Sequence, residues 1–148
     1  MEPSLVERKR CLLNLWQGKE RGPLYSIGVA GRSIPRGKLV EDFFLMLEVE
    51  KERLRLKENI RDYDIPAIRT DFGTAIFPSA FGCPLSFSEA EYPWSEPVIF
   101  DDPRKVYRLP RPSLEAGLLS RVLRFTALVV SSTEYPVKMT DLQGPIDT

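Results

Sequence analysis

The chain has 148 residues, 43% hydrophobic and 28% charged, a composition that predicts a soluble globular domain rather than a disordered tail. Its 21 basic residues balance 21 acidic ones, so there is no broad basic field for nucleic acid or an anionic membrane surface. It has no histidine, which excludes any histidine triad, histidine general base or histidine metal ligand within these residues.

Residues 4–17 predict a first helix, with Ser4 as cap, Glu7 three residues on as a capping box, and an apolar stripe of Leu5, Leu12, Leu15 and Trp16. After the Gly22-Pro23 turn, 24–29 alternates loosely and predicts a strand. A Gly/Pro loop follows over 30–37. Residues 39–59 then predict one long helix, with Phe43, Phe44, Leu47 and Leu54 near helical spacing. Its charged half offers the pairs Glu48–Lys51, Glu50–Arg53 and Glu52–Arg55, each worth about 0.2–0.5 kcal/mol to a solvated helix face.

Residues 64–69 predict a second strand, weakened by Pro66. The stretch 72–112 holds seven of the 13 prolines together with eight aromatic residues. It predicts a long ordered loop covering something, and loops of that length are usually functional. Within it, Cys83 and Trp94 read as packing residues. Ser113 opens a predicted third helix to about 131, with Leu114, Leu118, Val122, Phe125 and Val129 on one face. A short strand over 135–140 follows, and Gly144-Pro145 reads as the opening of another helix.

Strands alternating with helices imply parallel pairing. The expected fold class is therefore α/β: about three adjacent parallel strands with flanking helices, read as the N-terminal part of a (β/α)8 TIM barrel. On this reading residues 1–148 are a single incomplete domain. In such a barrel, ligands meet the loops after the strand C-terminal ends. Those positions hold Arg32 and Arg36, then Asp71, then Asp141 and Gln143. The guanidinium groups suit carboxylates, and an aspartate in a partly apolar pocket can accept N–H donors or stabilise a developing cation. Each residue also has a plainer reading: Asp71 and Asp141 as turn or cap residues, Arg32 and Arg36 as surface charges, and Gln143 as a partner for loop backbone.

The segment Thr140-Asp141-Leu142-Gln143-Gly144-Pro145-Ile146-Asp147 resembles an Asp-x-Gln-Gly-Pro-like loop of the uroporphyrinogen decarboxylase superfamily. Ala30-Gly31-Arg32-Ser33-Ile34-Pro35 is similar to the Ala-Gly-Arg-x-x-Pro loop after the first barrel strand of the decarboxylases. Ile68-Arg69-Thr70-Asp71 looks like the strand end that carries their active-site aspartate. The sequence departs from the decarboxylases at Ile27-Gly28-Val29, which lacks the basic residue expected there, and in the aromatic segment 72–112, which looks more like the divergent or methyltransferase-like branch of the superfamily.

The resemblance implies cofactor-free decarboxylation of tetrapyrrole acetate side chains, or a related lyase reaction in porphyrin biosynthesis. Asp71 would be the catalytic residue, stabilising a protonated pyrrole, and Arg32, Arg36, Asp141 and Gln143 would bind substrate. The methyltransferase branch would instead use zinc and a corrinoid held by later parts of the barrel, with a corrinoid protein as partner. A reading of another class is a non-catalytic α/β binding module. The expected partner is a small-molecule substrate, with no nucleic acid and no membrane; a homodimer stays open. The two cysteines fall short of the roughly four ligands of a structural zinc site and read as reduced thiols. The N-terminal residues lack the apolar core of a signal peptide. A cytoplasmic enzyme, inactive as this segment alone, is the expectation.

Overall fold

The computed structural model describes residues 4–19, 22–97, 99 and 101–140. Helix α1 spans Leu5–Trp16 and begins as the capping box requires: the Ser4 hydroxyl accepts from the Glu7 N–H, and the Glu7 carboxylate accepts from the Ser4 N–H at 2.7 Å. The single helix expected over 39–59 is two. Helix α2 covers Arg36–Glu41 and α3 covers Phe43–Lys57, with Asp42 extended between them. The Asp42 carboxylate accepts from the Phe44 and Leu45 N–H groups at 3.0 Å and so caps α3. The break changes the phase of the apolar stripe. Phe43 packs into the core, while Phe44, expected beside it, is exposed.

Two of the three expected strands pair. β1 (Ile68–Arg69) runs parallel to the strand Val137–Lys138, in register Ile68↔Val137 and Arg69↔Lys138. Residues 24–29 form no strand, and the reason lies at the outer edge of β1. The Arg69 N–H, which points away from the partner strand, donates to Glu50 Oε2 at 3.0 Å, and the Ala67 carbonyl accepts from Arg53 Nη2 at 2.9 Å. Glu50 and Arg53 are themselves an ion pair one turn apart on α3. Side chains thus fill the edge that segment 24–29 would have needed. That segment is fastened instead to the chain ahead of β1: the Tyr63 N–H donates to the Tyr25 carbonyl, and the Ile27 N–H to Asp62 Oδ2.

The stretch 72–112 is more structured than its prolines suggest. It contains α4 (Ile76–Ala80), an antiparallel pair of β2 (Leu85–Ser86) with β3 (Trp94–Ser95), and a 3-10 turn over Pro103–Arg108. Trp94 is exposed rather than packed. Helix α5 spans Gly117–Ser132, and β4 is the Val137–Lys138 strand. α5 starts four residues later than expected. Ser113 caps only a turn, through the Glu115 N–H, and the hydroxyl that meets the first turn of α5 is Ser79 of α4, accepting from the Leu118 N–H at 2.9 Å. Leu114 therefore lies outside the helix, exposed.

The core forms where α3, α5 and the inner face of β1 meet. Phe43, Phe72 and Phe125 pack with ring centroids 5.9–6.1 Å apart, two of the three contacts edge-on. Leu118, Val122, Phe125 and Val129 are all buried, as the α5 periodicity predicts. Full burial of side chains such as Phe72 and Phe125 contributes about 1.5–3 kcal/mol each. The architecture is thus mixed α/β with short strands, the parallel pair backed by helices on one face. Among the described residues, no helix is long and apolar enough to cross a membrane.

Candidate functional site

On the face of β1 away from the core lies a cleft of about 520 Å³, bounded by the 26–34 segment, α3 and the strand itself. It opens at the C-terminal end of β1 into a smaller hollow lined by Arg36, Arg69, Asp71, Tyr92 and Thr140. Asp71 lies immediately beyond the short stretch Ile68–Thr70, in which Ile68 and Thr70 are buried. The Thr70 and Thr140 hydroxyls hydrogen-bond across the two strand ends.

Asp71 is held from three sides. Its Oδ1 accepts from the Gly73 N–H at 3.4 Å, a local turn. Its Oδ2 accepts from the Tyr92 hydroxyl at 2.7 Å, and Arg69 Nε stands 3.5 Å from the same oxygen. The Tyr92 phenol is pushed well above its ordinary value, first by burial and then by its hydrogen bond to Asp71 and the charge there, against the opposing pull of Arg36 and Arg69. The phenol therefore stays protonated and remains a donor at any physiological pH. The Arg36 guanidinium lies over the Tyr92 ring, 5.4 Å from its centroid.

Two close approaches fix this arrangement. Gly73 has φ of 74°, and a Cβ there would lie 2.8 Å from Tyr92 Cβ, so only glycine lets the ring pass. A Cβ on Gly37 would lie 1.8 Å from the Ser88 carbonyl oxygen, so α2 can press directly on the 88–90 backbone. The Arg36 N–H donates to the Ala90 carbonyl at 3.2 Å, and Lys38 pairs with Glu89 across solvent at 3.3 Å. Residues 88–92 form a strap tied to α2, and the strap delivers Tyr92 to Asp71.

Of the residues expected at the site, Arg36 and Asp71 meet around Tyr92. Arg32 lines the wider cleft but turns to α3, its Nε 3.6 Å from Glu52 Oε2 with both side chains substantially exposed. This takes Glu52 away from its expected helical partner, Arg55. Asp141 and Gln143 lie outside the described residues. Sequence reasoning missed Tyr92 and Arg69. Arg69 adjoins Asp71 by one strand alternation, a usable signal, but nothing local links Tyr92 to a residue 21 positions earlier.

No family model, no curated protein and no solved structure matches this chain. What the cleft can do rests on its own groups. It offers a carboxylate oriented by a neutral phenol, and guanidinium groups facing an open hollow, a set suited to an organic anion with a nearby cationic centre. Among the described residues no group of three or more His, Cys, Asp or Glu side chains is placed to hold a metal ion. Zinc in the methyltransferase reading would need donors other than these.

Proposed function

We propose that this chain belongs to an enzyme resembling the uroporphyrinogen decarboxylases, with the Asp71 cleft as its substrate site and the parallel pair as one unit of a (β/α)8 barrel. The observation that carries the reading is the Asp71–Tyr92–Arg36–Arg69 cluster just past the C-terminal end of β1. That is where such barrels place their chemistry. The return from β1 to a parallel β4 through α5 is the kind of crossover from which those barrels are built.

In this reading a carboxylate of the substrate rests on Arg36. A pyrrole ring is protonated on carbon, and Asp71 lies against the resulting cation, held in orientation by the Tyr92 hydroxyl. The C–C bond to the acetate carboxyl then breaks, CO2 leaves, and the bonding electrons flow into the cationic ring. A proton added at the released methylene completes a methyl group, and loss of the proton first placed on the ring carbon restores the aromatic pyrrole, so that one proton is taken up for each CO2 released. Asp71 acts by charge, stabilising the transition state more than the bound substrate.

The test is anaerobic incubation of the full-length gene product with uroporphyrinogen, following CO2 and the methylated porphyrins obtained after oxidation. Asp71→Asn keeps the size of the side chain and removes its charge; turnover should fall by about a hundredfold or more, with little change in the unfolding midpoint. Wild-type turnover in that variant, or no CO2 from the unaltered protein, overturns the reading. Zinc-dependent methyl transfer from methylcobalamin to a thiol would move the protein to the methyltransferase branch.

A further inference from the structure

In a parallel pair, residues in register present their side chains on the same face, and successive residues alternate. Ile68 is buried and Val137 packs against the core. The next register pair, Arg69 and Lys138, therefore faces the other way. Both are exposed, and both line the cleft. Like charges directly opposite one another on neighbouring strands are destabilising, so this placement calls for a counter-charge. Asp71 supplies one to Arg69. Lys138 has no ion pair or hydrogen bond among the described residues, and neither does the Arg36 guanidinium beyond its contact with the Tyr92 ring. The cleft lining carries six cationic and three acidic side chains in a chain with no net charge.

We infer that Arg69 and Lys138 form a second anion subsite, on the strands rather than the loops, for another carboxylate of a polycarboxylate ligand whose first carboxylate rests on Arg36. The inference depends on the cleft being the substrate site proposed above, but not on decarboxylation taking place there. A carboxylate suits the subsite better than a phosphate dianion, because Asp71 lies 3.5 Å from Arg69 and repels the second negative charge. Arg69 presents a planar fork and Lys138 a mobile point charge, a pair that accepts a carboxylate over a range of approach angles. The volume of about 520 Å³ falls within that of ordinary small-molecule sites.

The experiment is a fluorescence titration of the full chain with uroporphyrin, and with coproporphyrin, which carries half as many carboxylates. Lys138→Gln should weaken uroporphyrin binding about tenfold, the loss of one charge-assisted hydrogen bond. It should also flatten the salt dependence of binding, because one screened attraction is gone. Arg69→Gln should act in the same direction. Lys138→Arg should bind as the unaltered protein does. The loss in Lys138→Gln should be smaller for coproporphyrin. Unchanged affinity in Lys138→Gln, no uroporphyrin binding by the unaltered chain, or displacement of uroporphyrin by pyrophosphate at lower concentration than by benzenetricarboxylate would each overturn the inference. Binding that depends on Lys138 without any CO2 release would uphold this subsite and defeat the decarboxylase reading alone.

Discussion

Before β1 begins, Arg8 and Lys57 close on Asp62 and Asp64; after it ends, Arg36 and Arg69 stand around Asp71 with Tyr92 between them. The two clusters use the same residue types and differ in satisfaction. In the first, Lys57 Nζ lies 3.2 Å from Asp62 Oδ2 and also pairs with Asp64, while Arg8 Nη1 lies 3.5 Å from Asp62 Oδ1 and donates to the Asp64 carbonyl at 3.0 Å. Asp62 is 1% exposed and also accepts from the Ile27 and Asp64 N–H groups. Both Asp62 oxygens are used, and α1, α3 and the 24–29 segment are held together by that one carboxylate. In the second cluster the cations are exposed and under-partnered. A charged group that is buried and saturated is structural, and one that is held in place but left with free donors is available to a ligand.

The comparison breaks most readily at Asp62. Asp62→Ala would strand the buried Arg8 and Lys57 charges, and unfolding in urea should show a loss of about 3–5 kcal/mol. A loss below about 1 kcal/mol would place the cluster with ordinary surface pairs. Gly73→Ala should cost about 1–3 kcal/mol through backbone strain and push Tyr92 off Asp71, visible as a changed Tyr92 ring environment by NMR. A smaller effect concerns pH. Burial pushes the Asp62 carboxyl up, but the Ile27 N–H, Lys57 and the Asp64 N–H outweigh it and hold it below its ordinary 3.8. Its contribution is therefore complete above that value and is lost as pH falls through the lower folded value. The unaltered protein should lose melting temperature in that acid window more steeply than Asp62→Asn. At the other end of the strand, Lys138→Gln should change stability by no more than about 0.5 kcal/mol, because its side chain has no ion pair or hydrogen bond among the described residues.

What the sequence made legible were features written within a few residues of one another. The Ser4/Glu7 box and the buried face of α5 follow from local spacing, and the alternation of strands with helices predicts the parallel pairing that the structure forms over two residues each of the 64–69 and 135–140 segments. Features made by a side chain meeting distant backbone were not legible. Asp42 splits a continuous apolar stripe because its carboxylate finds two N–H groups, a choice invisible to periodicity. Ser79, not Ser113, meets the start of α5. At the site, Arg36 and Asp71 could be read from their positions after predicted strands. The Tyr92 contact depends on a strap whose course is set by Gly37 and Gly73, and no pattern in the stretch between them signals it.

Glu50 and Arg53 have a consequence beyond fastening α3. An exposed strand edge is a template on which other chains can add, the first step of sheet-like aggregation. Here a carboxylate and a guanidinium one helical turn apart take the free N–H of Arg69 and the free carbonyl of Ala67, and so occupy the hydrogen-bonding positions of a neighbouring strand without being one. The edge is closed by two side chains from the chain's own helix, and a foreign strand would have to displace an ion pair before its first hydrogen bond could form.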